Sequence, residues 1–254
     1  MEIKNYISQW EERYHSDLTN NILPFWLTNG LDKEHGGVYT CLDRDGKLMD
    51  TTKSVWFQGR FGFITAYAYN HIEKNPAWLE ASKSCIDFII HHCTNEDGRM
   101  YFEVTADGTP LRMRRYLFSE CFAAIAMSEY SIASGKQEYA EKALEVFHTI
   151  QHYANTPGLL EPKYLPAMKC QGHSLTMILI NTASRLREAI DAPELTKQID
   201  LSLEKLEKYF VHPEYKAILE TVGLNGELID TLNGRVINPG HCICLLYTSP
   251  SPRD

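Results

Sequence analysis

The chain has no paired-cysteine motif, no long apolar run and no excess of positive charge, and each lack removes a class of function. Its seven cysteines are Cys41, Cys85, Cys93, Cys121, Cys170, Cys242 and Cys244, an odd number with no two spaced as C-x-x-C. That excludes a disulfide frame and a zinc knuckle, and fits reduced, mostly buried thiols in a cytoplasmic protein. No apolar stretch approaches the roughly 18 residues of a membrane span. The start, Met1-Glu2-Ile3-Lys4-Asn5-Tyr6, has no signal-peptide apolar core. Lys and Arg number 25 against 33 Asp and Glu, a net charge of -8. Nucleic acid and anionic membrane are poor partners for such a surface. There is no HExxH, Walker, GxGxxG or GxSxG motif, so the sequence implies neither a metal nor a cofactor.

What remains is a 254-residue chain with 44% hydrophobic content, enough for one large core or two small ones. Its apolar periodicity marks helices of two kinds. Lys53 to Tyr69, Tyr116 to Ile132 and His173 to Ile190 are apolar nearly all round, which predicts burial on every side. Lys4 to Asn20, Pro76 to Cys93, Gln137 to Ala154 and Pro193 to Phe210 are amphipathic, with one wet face. The two kinds alternate. Short loops make successive helices antiparallel, so alternation predicts an inner and an outer layer, as in an α/α toroid. Two β-prone runs, Gly37 to Leu42 and Tyr101 to Val104, lead into Asp-Gly turns and predict short hairpins.

Several residues could carry chemistry. Pro239-Gly240 predicts a turn that sets His241 at the mouth of a helix. The positive end of the helix dipole favours a neutral imidazole there, the form a general base needs. Arg60 lies in an apolar helix, where a buried guanidinium needs either an ion pair or a polar pocket to face. Glu120 is placed similarly. His173 opens another apolar helix and either lines a pocket or caps the helix. Glu220 and Arg235 precede His241, and a supporting ion pair is the first expectation for them. Trp26, Trp56, Tyr39 and Tyr67 offer aromatic walls for a sugar ring, or are simply core. His91 and His92 are adjacent and point apart on a helix.

Four stretches carry a resemblance: Asp32-Lys33-Glu34-His35-Gly36-Gly37, Val55-Trp56-Phe57-Gln58-Gly59-Arg60, Phe118-Ser119-Glu120-Cys121-Phe122 and Asn238-Pro239-Gly240-His241. In this order they resemble the N-acylglucosamine 2-epimerase family over about Asn5 to Ile243. The resemblance implies an all-α (α/α)6 barrel and interconversion of N-acetylglucosamine with N-acetylmannosamine. It implies His241 as one of two catalytic imidazoles and Arg60 as the guanidinium for the oxyanion. Trp56, Glu120, His173, Glu220 and Arg235 are the further candidates to bind substrate. A small sugar is the expected partner.

Two features depart from the family. Cys244 stands where a Glu is expected three residues after the histidine, and the second catalytic histidine belongs to a C-terminal section this chain lacks. About seven of twelve barrel helices are visible. Residues 1–243 therefore read as the N-terminal part of a barrel and residues 244–254 as an unrelated tail, which predicts little or no epimerase activity. An open barrel edge would favour self-association, a homodimer included. Cellobiose 2-epimerase or mannose isomerase is the alternative enzyme, and a non-catalytic binding protein the alternative of another class. A toroid glycoside hydrolase would need a carboxylate pair across the pocket, and no clear pair stands out.

Overall fold

The computed structural model describes residues 3–248, with side chains as far as Ile243. The chain divides into two compact units, Met1–Met113 and Arg114–Asp254. In the first, α1 (Ile3–Asp17) runs through a π-helical turn, Leu18–Ile22, into α2 (Leu23–Asn29). Then come β1 (Cys41–Leu42), β2 (Leu48–Asp50), β3 (Lys53–Ser54), α3 (Val55–His71), α4 (Pro76–His92), β4 (Glu103–Val104) and β5 (Pro110–Arg112). The second unit holds α5 (Phe118–Ser134), α6 (Gln137–Asn155), β6 (Cys170–Gly172), α7 (Ser174–Ala189), α8 (Pro193–Tyr209), β7 (Val211–His212), β8 (Ala217–Ile218), β9 (Thr221–Gly223) and α9 (Pro239–Thr248). Helix α9 continues past residue 243, where the tail was expected to begin; residues 249–254 of that expected tail lie outside the described residues.

Local chemistry explains the boundaries. Asn75 caps α4 by accepting from the Ala77 amide at 3.1 Å, with Pro76 in the first turn. Gly135 ends α5 at φ +69°, a left-handed conformation that costs glycine nothing. Both expected hairpins form, β1 with β2 and β4 with β5, and β3 extends the second into three strands. The pairs β6–β9 and β7–β8 were not legible in the sequence.

In the second unit α5 and α7 pack on each other, with α6 against α5 and α8 against α7. This is the expected inner and outer arrangement. From Ser119 to Ser131 every residue of α5 except Phe122 is buried. Beneath β9, Met177, Ile180, Leu206, Phe210, Leu219 and Val222 form one apolar cluster.

Two expectations need correction in the first unit. Helix α3 is not buried all round: Phe57, Arg60 and Ile64 are exposed, while Gln58, Gly59, Gly62, Thr65 and Ala66 are buried. Small residues let its backbone approach α4, and Ser82 of α4 donates a hydrogen bond to the Gly62 carbonyl at 2.7 Å. The bulky apolar residues are left on the other side. Helix α1 buries none of its residues, although Tyr6, Trp10 and Tyr14 stack along its length. No helix among the described residues is long and apolar enough to cross a membrane.

Candidate active site

His241 lies in the first turn of α9. Asn238 caps that turn: its Oδ1 accepts from the amides of Gly240 at 3.0 Å and His241 at 3.3 Å. Pro239 follows at the first helical position, so Asn-Pro-Gly is a helix-start signal and fixes where the histidine leaves the backbone. The ring is not enclosed. Its side chain is 40% exposed, and its Nδ1 lies 2.9 Å from Glu220 Oε1.

The same Glu220 oxygen lies 3.2 Å from His173 Nε2. His173 is the residue before α7 and is fully buried. Its ring stands edge-on between Phe210, at 5.6 Å, and His241, at 6.0 Å. Burial pushes the pKa of His173 down, against the neighbouring Glu220 carboxylate, which pulls it up. The net direction is down, which favours the neutral imidazole. The backbone ties the two residues as well: the His173 amide donates to the Glu220 carbonyl at 3.3 Å, and Gly172 pairs with Thr221 across β6 and β9.

One ligand atom from each of His173, Glu220 and His241 lies within 4.8 Å of the other two. Two imidazoles and a carboxylate are a donor set a divalent cation accepts. All three were candidates from the sequence, but their contact was not legible there, because 47 residues separate His173 from Glu220.

The remaining candidates are placed differently. Arg235 pairs with Asp230, not with Glu220. The expected ion pair fails because Arg235 sits in a 3-10 turn, Asn233–Arg235, where a local carboxylate is nearer. His173 makes no side-chain cap on α7. Glu120 is completely buried in the first turn of α5.

Arg60 and Trp56 belong to the first unit. Arg60 is exposed, correcting the expectation of a buried guanidinium, and lies 5.9 Å from the Phe57 ring centre. With Trp26, Tyr39, Phe57, Phe61 and Phe63 it lines an aromatic cavity of about 500 Å³. Trp56 is half-buried and packs edge-on against Phe102 at 5.1 Å. Tyr67 packs on His71 instead of joining the cavity wall.

A device that sequence reasoning missed holds this cavity's rim. Lys53 is fully buried, and its Nζ donates to Asp32 Oδ2 at 2.7 Å, the Gly36 carbonyl at 2.7 Å and the Ala106 carbonyl at 2.8 Å. Gln58 grips the next stretch: the Val38 amide donates to its Oε1 at 2.8 Å, and its Nε2 donates back to the Val38 carbonyl at 2.5 Å. The signal was a lysine two residues before an apolar helix.

Residues 37–244 match the family model described as N-acylglucosamine 2-epimerase (GlcNAc 2-epimerase). The N-acylglucosamine 2-epimerase of Homo sapiens is 30% identical over 245 residues, 93% of this chain and 57% of that protein. The Bos taurus protein of the same name is 31% identical over 242 residues, 92% of this chain and 57% of that protein. The chain thus spans somewhat over half the length of these relatives. The structure of cellobiose 2-epimerase from Spirochaeta thermophila DSM 6192 matches with a TM-score of 0.81 at 21% identity, over 97% of this chain and 65% of that one. That likeness shows the fold, an all-α toroid of helical hairpins.

Proposed function

Because this chain belongs to the N-acylglucosamine 2-epimerase family, we propose that it carries the His241 side of a sugar 2-epimerase acting between N-acetylglucosamine and N-acetylmannosamine. In the open-chain sugar the C2 hydrogen lies next to the C1 aldehyde. A base that removes it leaves an enolate, and return of a proton to the opposite face inverts C2. An imidazole suits this work because its ordinary pKa lies near 7. Arg60 is the candidate guanidinium for the oxygen that gains charge. The observation that carries the reading is His241 itself, half-exposed at a helix entrance and held through Nδ1 by Glu220.

Solvent exchange at C2 needs only one working base, so it reads His241 whether or not inversion is completed. The chain is incubated with N-acetylmannosamine in deuterium oxide. Loss of the C2 proton signal is followed by NMR, and N-acetylglucosamine by chromatography. His241-dependent exchange is expected, and His241→Ala should lower it by about 10²-fold or more. Exchange that survives this substitution would sink the proposal. Cellobiose in a parallel sample separates the N-acyl reading from the cellobiose one.

A further inference from the structure

Glu220 was counted above among residues that could touch the sugar, yet its geometry assigns it another task. We propose that Glu220 is a positioning residue: one carboxylate oxygen takes an N–H from each of two histidines and thereby decides which nitrogen of His241 is basic. The proposal rests on the epimerase reading for its consequence, but not for its geometry.

A carboxylate accepts hydrogen bonds and donates none. His241 presents Nδ1 to Glu220 Oε1 at 2.9 Å, so the proton of a neutral ring belongs on Nδ1. Nε2 then keeps its lone pair, and the ring is 40% exposed, so a substrate hydrogen can reach it. His173 presents Nε2 to the same oxygen at 3.2 Å, so its proton belongs on Nε2. His173 Nδ1 is buried with no hydrogen-bond partner among the described residues, as an unprotonated nitrogen should be if no donor is at hand. The two rings are thus held in opposite tautomers by one oxygen.

The carboxylate is itself fixed. Leu219 donates its amide to the Phe210 carbonyl at 3.0 Å, and Thr221 continues into β9 against β6. The buried His173 ring, itself edge-on to Phe210, is the surface against which the His241 ring stands edge-on. Arg235, the nearby cation, is engaged by Asp230 and does not compete for Glu220. His173 accordingly acts through Glu220 and through packing, not as a second base.

The test reads the tautomer directly. The chain is labelled with ¹⁵N-histidine, and long-range ¹H–¹⁵N spectra are recorded at pH 7.5, with His241→Gln used to assign the signal. Wild type should show His241 protonated on Nδ1 and His173 on Nε2. In Glu220→Gln the amide can turn its NH₂ toward Nδ1, and His241 should change to the Nε2-protonated form. Glu220→Asp, which keeps the charge, should retain at least part of the Nδ1–H population. A wild-type His241 protonated mainly on Nε2 overturns the proposal even if every variant fails to fold. So does a tautomer that Glu220→Gln leaves unchanged in a folded chain. The C2-exchange assay separates the two readings. Expected tautomers without exchange would remove the epimerase reading and leave this one standing. Exchange that Glu220→Gln reduces by less than about tenfold would remove Glu220's part in it, because general-base contributions are of order 10²–10⁴.

Discussion

Replacing Lys53 by Met should cost more stability than any surface substitution in the first unit. The lysine is fully buried, and its three N–H donors meet three acceptors within 2.8 Å. Its ammonium also lies 4.1 Å from the Phe88 ring centre. Methionine fills similar volume but removes the charge. Asp32 keeps amide bonds from Glu34 at 2.9 Å and His35 at 3.1 Å, but loses its counter-charge while 5% exposed. Breaking one partner out of a buried pair costs about 3–5 kcal/mol, a large part of the 5–15 kcal/mol that typically holds a domain. Urea unfolding followed by circular dichroism measures it in Lys53→Met, Asp32→Asn and the double variant. Each single change should cost about 3–5 kcal/mol, and the double should cost clearly less than their sum, because the second removes a group the first had already orphaned. A Lys53→Met cost below about 1 kcal/mol, or simple additivity, would refute the argument.

Acid should undo the same contact. Burial raises the Asp32 pKa, but the Lys53 ammonium and the His35 and Glu34 amides outweigh it and bring the carboxyl down to about 2, from an ordinary 3.8. A depressed carboxylate stabilises the fold above its unfolded pKa and loses that contribution as pH falls from about 4 to 2, here about 2 kcal/mol. Urea midpoints between pH 5 and 2 should therefore fall less steeply in Asp32→Asn. Gly37→Ala should be costly because Gly37 has φ +74° and an added Cβ would sit 2.5 Å from Gln58 Oε1, forcing the clamp on Val38 open. Strain and the lost bonds together suggest about 2–4 kcal/mol. Gly135→Ala, at φ +69° with nothing within 4 Å, carries only the strain; equal losses in the two variants by thermal unfolding would contradict this.

The helices were legible because periodicity reports which residues avoid water; what covers them is another matter. Helices α5 and α7 lie as an apolar reading expects, since their own partners α6 and α8 belong to the same unit. Helix α3 defeats the same reading: its side toward α4 uses Gly59 and Gly62, where close approach replaces bulk, and Phe57 and Ile64 are left outside. A hydrophobicity pattern weights a phenylalanine above a glycine, so it points to the wrong face whenever backbones touch. Helix α1 fails in the opposite way: its aromatic stripe is real, but none of its residues is buried.

The site divides along the same line. His241 could be found because its cue is local: Asn238, Pro239 and Gly240 build the helix entrance within four residues. Glu220 could be listed but not understood. Sequence proximity offered it Arg235, whereas the fold gives Arg235 to Asp230, five residues away, and brings Glu220 to histidines 47 and 21 residues distant. A local ion pair forms at little entropic cost, so an arginine in a short turn is captured by its neighbour first. A carboxylate at a strand end is left for long-range partners, which only strand pairing can select: β6 against β9 sets Gly172 opposite Thr221, and so puts His173 beside Glu220. That register puts His173 on the same carboxylate oxygen that His241 reaches from α9, so side chains of ordinary chemistry in isolation become a matched set. A one-residue slip of β9 would turn Glu220 to the other face and leave His241 with no acceptor at Nδ1, even with Asn238, Pro239 and Gly240 untouched.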